Sequence, residues 1–279
     1  MQELRQDLER VQRENAAILR LVAGPGREGK KLPLAPPGMS REGVFTEVER
    51  GSRPEVMAKL EHYLTFFRGA SPIVDLGCGR GEFLELADRH GLRAYGVDTD
   101  ADSVQRCRDI DLDAREENLF EHLAGLEPES VGGVFCSQVV EHLPPESILG
   151  LLEEIGRVIR PGGVAVIETP NPASFATHVH SFWRDPTHIR PVPDVALAFA
   201  ARTAGLVVTS TIYSSLPPEE ERLKQIAARP RGHETRDLVG AINALVNQLN
   251  ALLYGPQDYA LVLTKPDGPT EEDVVGPLA

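Results

Sequence analysis

From Pro72 to Lys265 the sequence alternates short apolar runs with segments of helical periodicity, and this alternation limits the chain to few folds. Seven runs have the length and residue types of strands, the third of them weakly. Alternating strands and helices predict a mainly parallel sheet covered on both faces. The expected fold is therefore α/β, with a doubly wound, seven-stranded, mostly parallel sheet. The predicted strands are PIVDLG, RAYGVD, DLDARE, VGGVFCS, GGVAVIET, LVVTSTIY and DYALVLTK.

The segments outside this pattern suggest further divisions of the chain. Near the N-terminus, apolar residues follow the 4-3 spacing of a coiled-coil seam, with Asn15 inside it, which favours a homodimer paired through this helix. The alternative is an amphipathic helix that lies on its own domain. The predicted boundaries are a coiled-coil helix at 1–23, a Gly- and Pro-rich flexible linker at 24–44, one domain at 45–265 with a helical insertion at 216–257 before the last strand, and a tail at 266–279.

Charge and composition exclude several classes of function. The 279 residues carry a formal net charge of −13, which argues against a large nucleic-acid surface, so we expect no nucleic-acid partner. No apolar run approaches the ~20 residues of a membrane span, and the charged N-terminus is unlike a secretory signal. We expect a cytoplasmic protein. Its widely spaced Cys78, Cys107 and Cys136 are expected to be reduced, buried thiols.

The first predicted strand runs directly into a glycine loop at residues 75–82, DLGCGRGE. A strand, a glycine turn and a helix form the nucleotide corner of many α/β sheets. The loop lacks the Gly-Lys-Ser/Thr ending of a phosphate loop, and Glu82 stands where the dinucleotide fingerprint has its third glycine. Asp98 ends the second strand, where an acid accepts hydrogen bonds from a ribose. The pattern favours a nucleoside without phosphates and with an amino-acid tail, which is S-adenosylmethionine.

Four motifs together resemble the class I S-adenosylmethionine-dependent methyltransferases over roughly residues 45 to 265: VDLGCGRGEFLELA, GVDTD, GGVFCSQVVEHLPP and IRPGG. The resemblance implies a Rossmann-like sheet and an enzyme that transfers a methyl group. It also implies which residues surround the cofactor. They are Asp75, Gly77, Cys78 and Gly79 at the methionine part, Asp98 and Thr99 at the ribose, Asn118 and Leu119 at the adenine, and Ser137 and Gln138 from the fourth strand.

The segments after the fourth and fifth strands are expected to meet the methyl acceptor, because ligands bind at the carboxyl edge of open α/β sheets. A hydroxyl acceptor needs a base at neutral pH, for which Glu141, His142 and His188 are the candidates. The element DPTHIRP, with LNALLYGPQDYALV, is similar to a bacterial methyltransferase subgroup associated with polysaccharide and glycan biosynthesis, which implies a sugar hydroxyl as acceptor. The candidate substrate-binding residues are Phe182, Trp183, Arg184, Asp185 and Arg190.

Three alternatives remain open from the sequence. A Glu-x-x-Glu-His metal motif occurs in some O-methyltransferases, and here Gln138-x-x-Glu141-His142 departs from it by one amide; with His188 these residues would hold Mg²⁺. The acceptor could instead be a small phenol or an amine. The chain could also be an assembly protein that binds S-adenosylmethionine without turning it over.

Overall fold

The computed structural model describes residues 2–23, 51–228 and 232–268. The predicted linker at 24–44 and most of the predicted tail lie outside them. The chain divides into two compact units. We call them the sheet unit, which is the described part of 32–169, 192–212 and 259–279, and the helical unit, which is the described part of 1–31, 170–191 and 213–258.

Within the described residues, seven strands form one sheet, as predicted. They are β1 (Ile73–Leu76), β2 (Ala94–Asp98), β3 (Ala114–Glu116), β4 (Val131–Ser137), β5 (Ile159–Pro170), β6 (Val207–Ser214) and β7 (Asp258–Thr264). Their order across the sheet is β3-β2-β1-β4-β5-β7-β6. The pairs β1–β2, β1–β4, β2–β3 and β4–β5 are parallel.

The strand order reverses its direction at β1, which pairs with β2 on one side and with β4 on the other. The three strands are parallel, so their carboxyl ends, at Leu76, Asp98 and Ser137, lie at the same edge of the sheet. Such a reversal leaves a crevice outside the strand ends, and ligands bind there in open α/β sheets. The topology therefore places the predicted cofactor residues together.

The helices alternate with the strands and bury apolar stripes. The helix at Pro145–Val158, in the sheet unit, is an example. Its apolar residues recur at helical spacing and form one almost completely buried stripe: Ile148, Leu151, Leu152 and Ile155. In another part of the core, the rings of Phe83 and Phe135 stack with centroids 3.9 Å apart. The helices are α1 (Gln2–Ala23), α2 (Arg53–Leu60), α3 (Glu82–Arg89), α4 (Ala101–Arg108), α5 (Leu119–Ala124), α6 (Pro145–Val158), α7 (Asp194–Thr203) and α8 (His233–Leu253).

The helical unit contains α1, α8 and an extended segment at 223–228 that three asparagine side chains hold by its backbone. Each asparagine accepts from a backbone N–H through Oδ1, at 2.6–2.8 Å, and donates through Nδ2 to the carbonyl of the same residue, at 2.9–3.3 Å. We call this arrangement the amide clamp. Its pairs are Asn15 with Lys224, Asn243 with Ile226 and Asn250 with Leu223.

The amide clamp changes the interpretation of α1. Asn15 was expected to set the register of a coiled-coil dimer, but its amide binds the backbone of the same chain instead. On the same face Val11 is buried, and Leu4 and Leu8 are half-buried. Because the described seam residues are already covered within one chain, the structure favours the alternative interpretation, a helix that lies on its own chain.

The helical insertion predicted before the last strand is confirmed, since α8 lies between β6 and β7. Among the residues that the structure describes, no helix is long and apolar enough to cross a bilayer.

Candidate functional site

The glycine loop after β1 requires backbone conformations that L side chains rarely adopt. Gly77, Gly79 and Gly81 have φ values of +75°, +49° and +76°. A Cβ on Gly77 would also lie 2.5 Å from Cγ2 of Val139. These glycines are therefore fixed both by conformation and, at Gly77, by the close approach of the segment that follows β4. Asp75, which lies in β1 and begins the DLGCGRGE motif, is buried.

Asp98 connects the loop to the end of β2. Its Oδ2 accepts from the N–H of Gly79 at 2.8 Å, and its Oδ1 accepts from the N–H of Asp100 at 2.9 Å. Asp100, not Asp98, caps α4, through a hydrogen bond from the N–H of Ser103. Each carboxylate oxygen has a second lone pair, so Asp98 can hold the loop and still accept from a ribose hydroxyl. Thr99 beside it is exposed.

Asn118 and Leu119 lie where β3 gives way to α5. Asn118 is exposed, and its Oδ1 caps α5 by accepting from the N–H of Phe120 at 2.9 Å. A cap orients the side-chain amide, whose Nδ2 is a donor suited to a ring nitrogen acceptor. Leu119 is half-buried against the core. A contact from Oδ1 to the adenine amino group would therefore compete with the helix cap.

A buried carboxylate that the sequence analysis missed lies beside Ser137 and Gln138. Glu168, in β5, accepts hydrogen bonds from the hydroxyls of Tyr63, at 3.1 Å, and of Ser137. Gln138 has φ +58°, a strained conformation for a residue other than glycine, and its N–H donates to the carbonyl of Glu168. The signal in the sequence was an acid within the apolar run GGVAVIET.

Glu141 and His142 form a short 3-10 turn, Val140–His142, just after β4. Glu141 is completely buried, and its Oε2 accepts from the hydroxyl of Thr169 at 2.8 Å. A carboxylate in such a place is retained only where hydrogen bonds offset its desolvation. His142 is half-buried. The turn therefore holds Glu141 inside the sheet unit and leaves the neighbouring imidazole nearer to its surface.

The loop at 181–191 belongs to the helical unit and corrects one prediction. Phe182 was expected to offer a stacking face to substrate, but it is buried and packs on His188, with ring centroids 4.4 Å apart. Trp183 meets the edge of Phe182 at 5.0 Å and is 54% exposed. A phenyl ring has no polar atom and can be buried without a hydrogen-bond partner, whereas a buried indole N–H needs one. Of the two rings, only Trp183 can stack on a ligand.

The imidazole of His188 has a defined tautomer. Nδ1 lies 2.6 Å from the carbonyl oxygen of Phe182, and a carbonyl can only accept, so Nδ1 carries the proton. The neutral ring then has its lone pair on Nε2, 3.8 Å from Oδ2 of Asp185. Asp185 also accepts from the N–H of Thr187 at 2.8 Å. In the neutral form of the ring, Nε2 is therefore the nitrogen that can take up a proton.

The other predicted residues are placed as follows. Arg184 and Arg190 are exposed. Of the residues predicted to hold a metal, Gln138, Glu141 and His142 belong to the sheet unit and His188 to the helical unit, and the metal site stays a prediction.

The three cysteines are free and buried, as expected. Burial, with the nearby charge of Glu141, raises the pKa of the Cys136 thiol. A hydrogen bond with Cys107 and burial raise the pKa of Cys78. Cys78 therefore enters the glycine loop as a neutral thiol. Gly96, which the sequence analysis missed, makes room for it: a Cβ there would lie 2.5 Å from Sγ of Cys78.

Comparison with known proteins identifies relatives of this chain. A family model described as a methyltransferase domain matches residues 46–211. The crystal structure of a SAM-dependent methyltransferase from Archaeoglobus fulgidus is 34% identical, with a TM-score of 0.76, and the match covers 81% of this chain and 100% of that chain.

Two curated relatives match over shorter stretches. A probable S-adenosylmethionine-dependent methyltransferase from Mycolicibacterium smegmatis is 33% identical over 142 residues, which are 50% of this chain and 53% of the relative. A ubiquinone biosynthesis O-methyltransferase from Cupriavidus pinatubonensis is 35% identical over 108 residues, 36% of this chain and 41% of the relative. The chain thus spans about half or less of the length of these relatives.

The family model covers more than half of the chain, and it includes the glycine loop, Asp98 and the turn after β4. The archaeal structure is matched over its whole length and is more than 30% identical to this chain. The chain belongs to the class I S-adenosylmethionine-dependent methyltransferase family.

Proposed function

We propose that this protein is an S-adenosylmethionine-dependent O-methyltransferase that acts on a hydroxyl of a sugar, in a glycan or a glycosylated metabolite. The observation that carries the cofactor assignment is the pair of hydrogen bonds by which Asp98 fixes Gly79 and Asp100 at the strand crevice. This arrangement presents a carboxylate beside a glycine loop that a ligand can approach closely, which suits a ribose and an amino-acid tail.

The residues around the crevice suit S-adenosylmethionine, which has no phosphate and needs no phosphate-binding group. The N–H groups of Gly77, Cys78 and Gly81 already donate to backbone carbonyls. The methionine part would therefore be held chiefly through its ammonium group, which the buried carboxylate of Asp75 favours. Asp98 would accept from the ribose, and Asn118 would donate to the adenine. When bound, the cofactor supplies a methyl group on a positively charged sulfur. We expect the protein chiefly to align the acceptor with that methyl group and to exclude water.

His188 and His142 are the proposed bases. The bound cofactor would supply the methyl group and leave as S-adenosylhomocysteine, and the proton of the acceptor hydroxyl would pass to an imidazole nitrogen of this chain. His188 is supported by its tautomer, since Nδ1 donates to the carbonyl of Phe182 and leaves Nε2 as the acceptor. For His142 the support is its position after β4, beside the buried Glu141.

A sugar acceptor is supported by the composition and exposure of the loop at 181–191. The exposed face of Trp183 suits the apolar face of a pyranose ring, and Arg184 and Arg190 can donate to its hydroxyls. A phenol is the second candidate, because the ubiquinone biosynthesis O-methyltransferase named above is among the relatives.

The first test is calorimetric titration of the purified protein with S-adenosylhomocysteine. We expect binding that Asp98→Ala abolishes and that Asp88→Ala, at an exposed aspartate of α3, leaves unchanged. Repeating the titration with Mg²⁺ tests the metal prediction, for which an increase in affinity that Glu141→Gln removes is the expected sign. Failure of the wild type to bind would overturn the proposed cofactor.

The second test uses S-adenosylmethionine labelled in its methyl group, with panels of sugar and phenol acceptors. Transfer to a sugar that falls at least tenfold in His188→Gln or His142→Gln supports the proposal and identifies the base. Transfer only to phenols would replace the acceptor class. Tight binding of S-adenosylmethionine without methyl transfer to any acceptor, water included, would instead indicate an assembly protein.

A further inference from the structure

Helix α8 has a second apolar face that the described part of its own chain leaves exposed. Val239 and Val246 are buried within the helical unit, and they account for one side of the helix. On the adjoining side the exposed fractions are 60% for Leu238, 55% for Leu245, 37% for Leu249 and 59% for Leu252. Four large exposed leucines on one helix are unusual for a surface that meets only water.

The exposed leucines follow the spacing of a helix-pairing seam. With Ile242, which is half-buried, they stand at 238, 242, 245, 249 and 252, a 4-3-4-3 spacing. This repeat keeps side chains on a line that a second helix can follow, with each side chain inserted between those of the partner. The seam is 15 residues long, about 21 Å of helix. Its geometry therefore fits an α-helical partner.

The charges of the chain and of α8 indicate which kind of helical partner fits the seam. The chain has a net charge of −13, so two copies repel each other unless they meet at a neutral surface. Residues 238–253 of α8 contain no charged side chain. An anionic lipid surface would be repelled, and a helix that lies on a membrane usually carries Lys and Arg on its polar face, which α8 lacks over this stretch. A second copy of α8 satisfies both the spacing and the neutrality.

We propose that two copies of this chain pair through α8, in a two-fold interface in which the leucine seam of one copy meets the same seam of the other. Such an isologous contact needs one self-complementary patch, and an apolar helical seam is one. The dimer would leave α1 in the amide clamp of its own chain. It would also differ from a dimer formed through α1, for which the described seam is already covered.

Sedimentation equilibrium of the full chain, from about 1 to 100 μM, measures the mass directly. We expect a concentration-dependent shift from 30.5 kDa to twice that value. Higher salt should increase the dimer fraction, because the Debye length falls from about 10 Å at 0.1 M to about 3 Å at 1 M and screens the repulsion. Salt should act in the opposite direction on a contact made of ion pairs.

The variant Leu245→Glu/Leu249→Glu should be monomeric at all these concentrations. The matched control is Ala244→Glu/Ala251→Glu, which adds the same charge at exposed positions of the same helix outside the seam, and it should dimerise like the wild type. Circular dichroism checks that both variants fold. If Leu245→Glu/Leu249→Glu does not fold, the milder Leu252→Lys replaces it, and it should weaken dimerisation at least tenfold.

Three results would overturn the proposal. The wild type could remain a monomer at 100 μM, or the seam variant could dimerise as well as its control. Alternatively, a monomeric wild type could sediment with phosphatidylcholine vesicles while the seam variant did not, which would make a lipid surface the partner.

Discussion

Replacement of Gly77 by alanine tests whether the glycine loop is fixed by packing as well as by conformation. With φ at +75°, an L side chain costs about 1–2 kcal/mol. The new Cβ, 2.5 Å from Cγ2 of Val139, forces a shift in a packed region, which costs about 1–3 kcal/mol more. Gly77→Ala should therefore lower the free energy of unfolding by about 2–5 kcal/mol.

Gly91 offers a matched control for the conformational part of this cost. Its φ is +69°, and a Cβ there would meet nothing within 4 Å, so Gly91→Ala should lose only about 1–2 kcal/mol. Urea unfolding of both variants measures the difference. Adding Val139→Ala to Gly77→Ala should recover part of the packing cost, as a double-mutant cycle would show. Equal losses in the two glycine variants would refute the role of packing.

Four further variants probe other parts of the molecule. Arg53 holds the carboxyl of Glu85 and lowers its pKa, so this pair stabilises the fold above the ordinary glutamate pKa and loses its effect as pH falls through the folded value; Glu85→Gln should be less stable than wild type in urea at pH 7 and equal to it near pH 2. Asn250→Ala should cost about 1–3 kcal/mol in urea unfolding, because it removes both hydrogen bonds to one clamped residue, and a smaller loss would mean that water replaces the amide. Phe182→Ala should lower stability by about 3–5 kcal/mol, whereas Trp183→Ala should leave the unfolding midpoint nearly unchanged and weaken acceptor binding; the reverse pattern would contradict the assignment of the buried and the exposed ring.

Much of the sheet could be predicted because strand signals are local. Strands β1, β4, β5 and β7 bury short apolar runs that stand out in the sequence, and the glycines after β1 mark a turn with positive φ. The parallel pairing of β1 and β2 alone predicts that Asp75 and Asp98 lie toward the same edge of the sheet. Local composition and one topological rule were sufficient to predict that these residues lie at one edge of the sheet.

The remaining features depend on contacts between distant residues. Glu168 became part of the site through hydrogen bonds from Tyr63 and Ser137, which are 105 and 31 residues away in sequence. Phe182 and Trp183 are adjacent aromatics, and composition does not tell which one turns inward. Likewise, the spacing around Asn15 is the same whether the helix meets a second copy or its own chain.

The amide clamp has a consequence for synthesis on the ribosome. Asn15 and its partner Lys224 are 209 residues apart, so at 5–20 residues per second α1 leaves the ribosome roughly 10–40 s before the segment that covers it. A lone helix of 22 residues is only marginally stable in water. During that interval Val11 and its neighbours have no native partner from the clamped segment. Nascent chains of this protein should therefore be open to chaperones and proteases at α1 until residues 223–228 have left the ribosome.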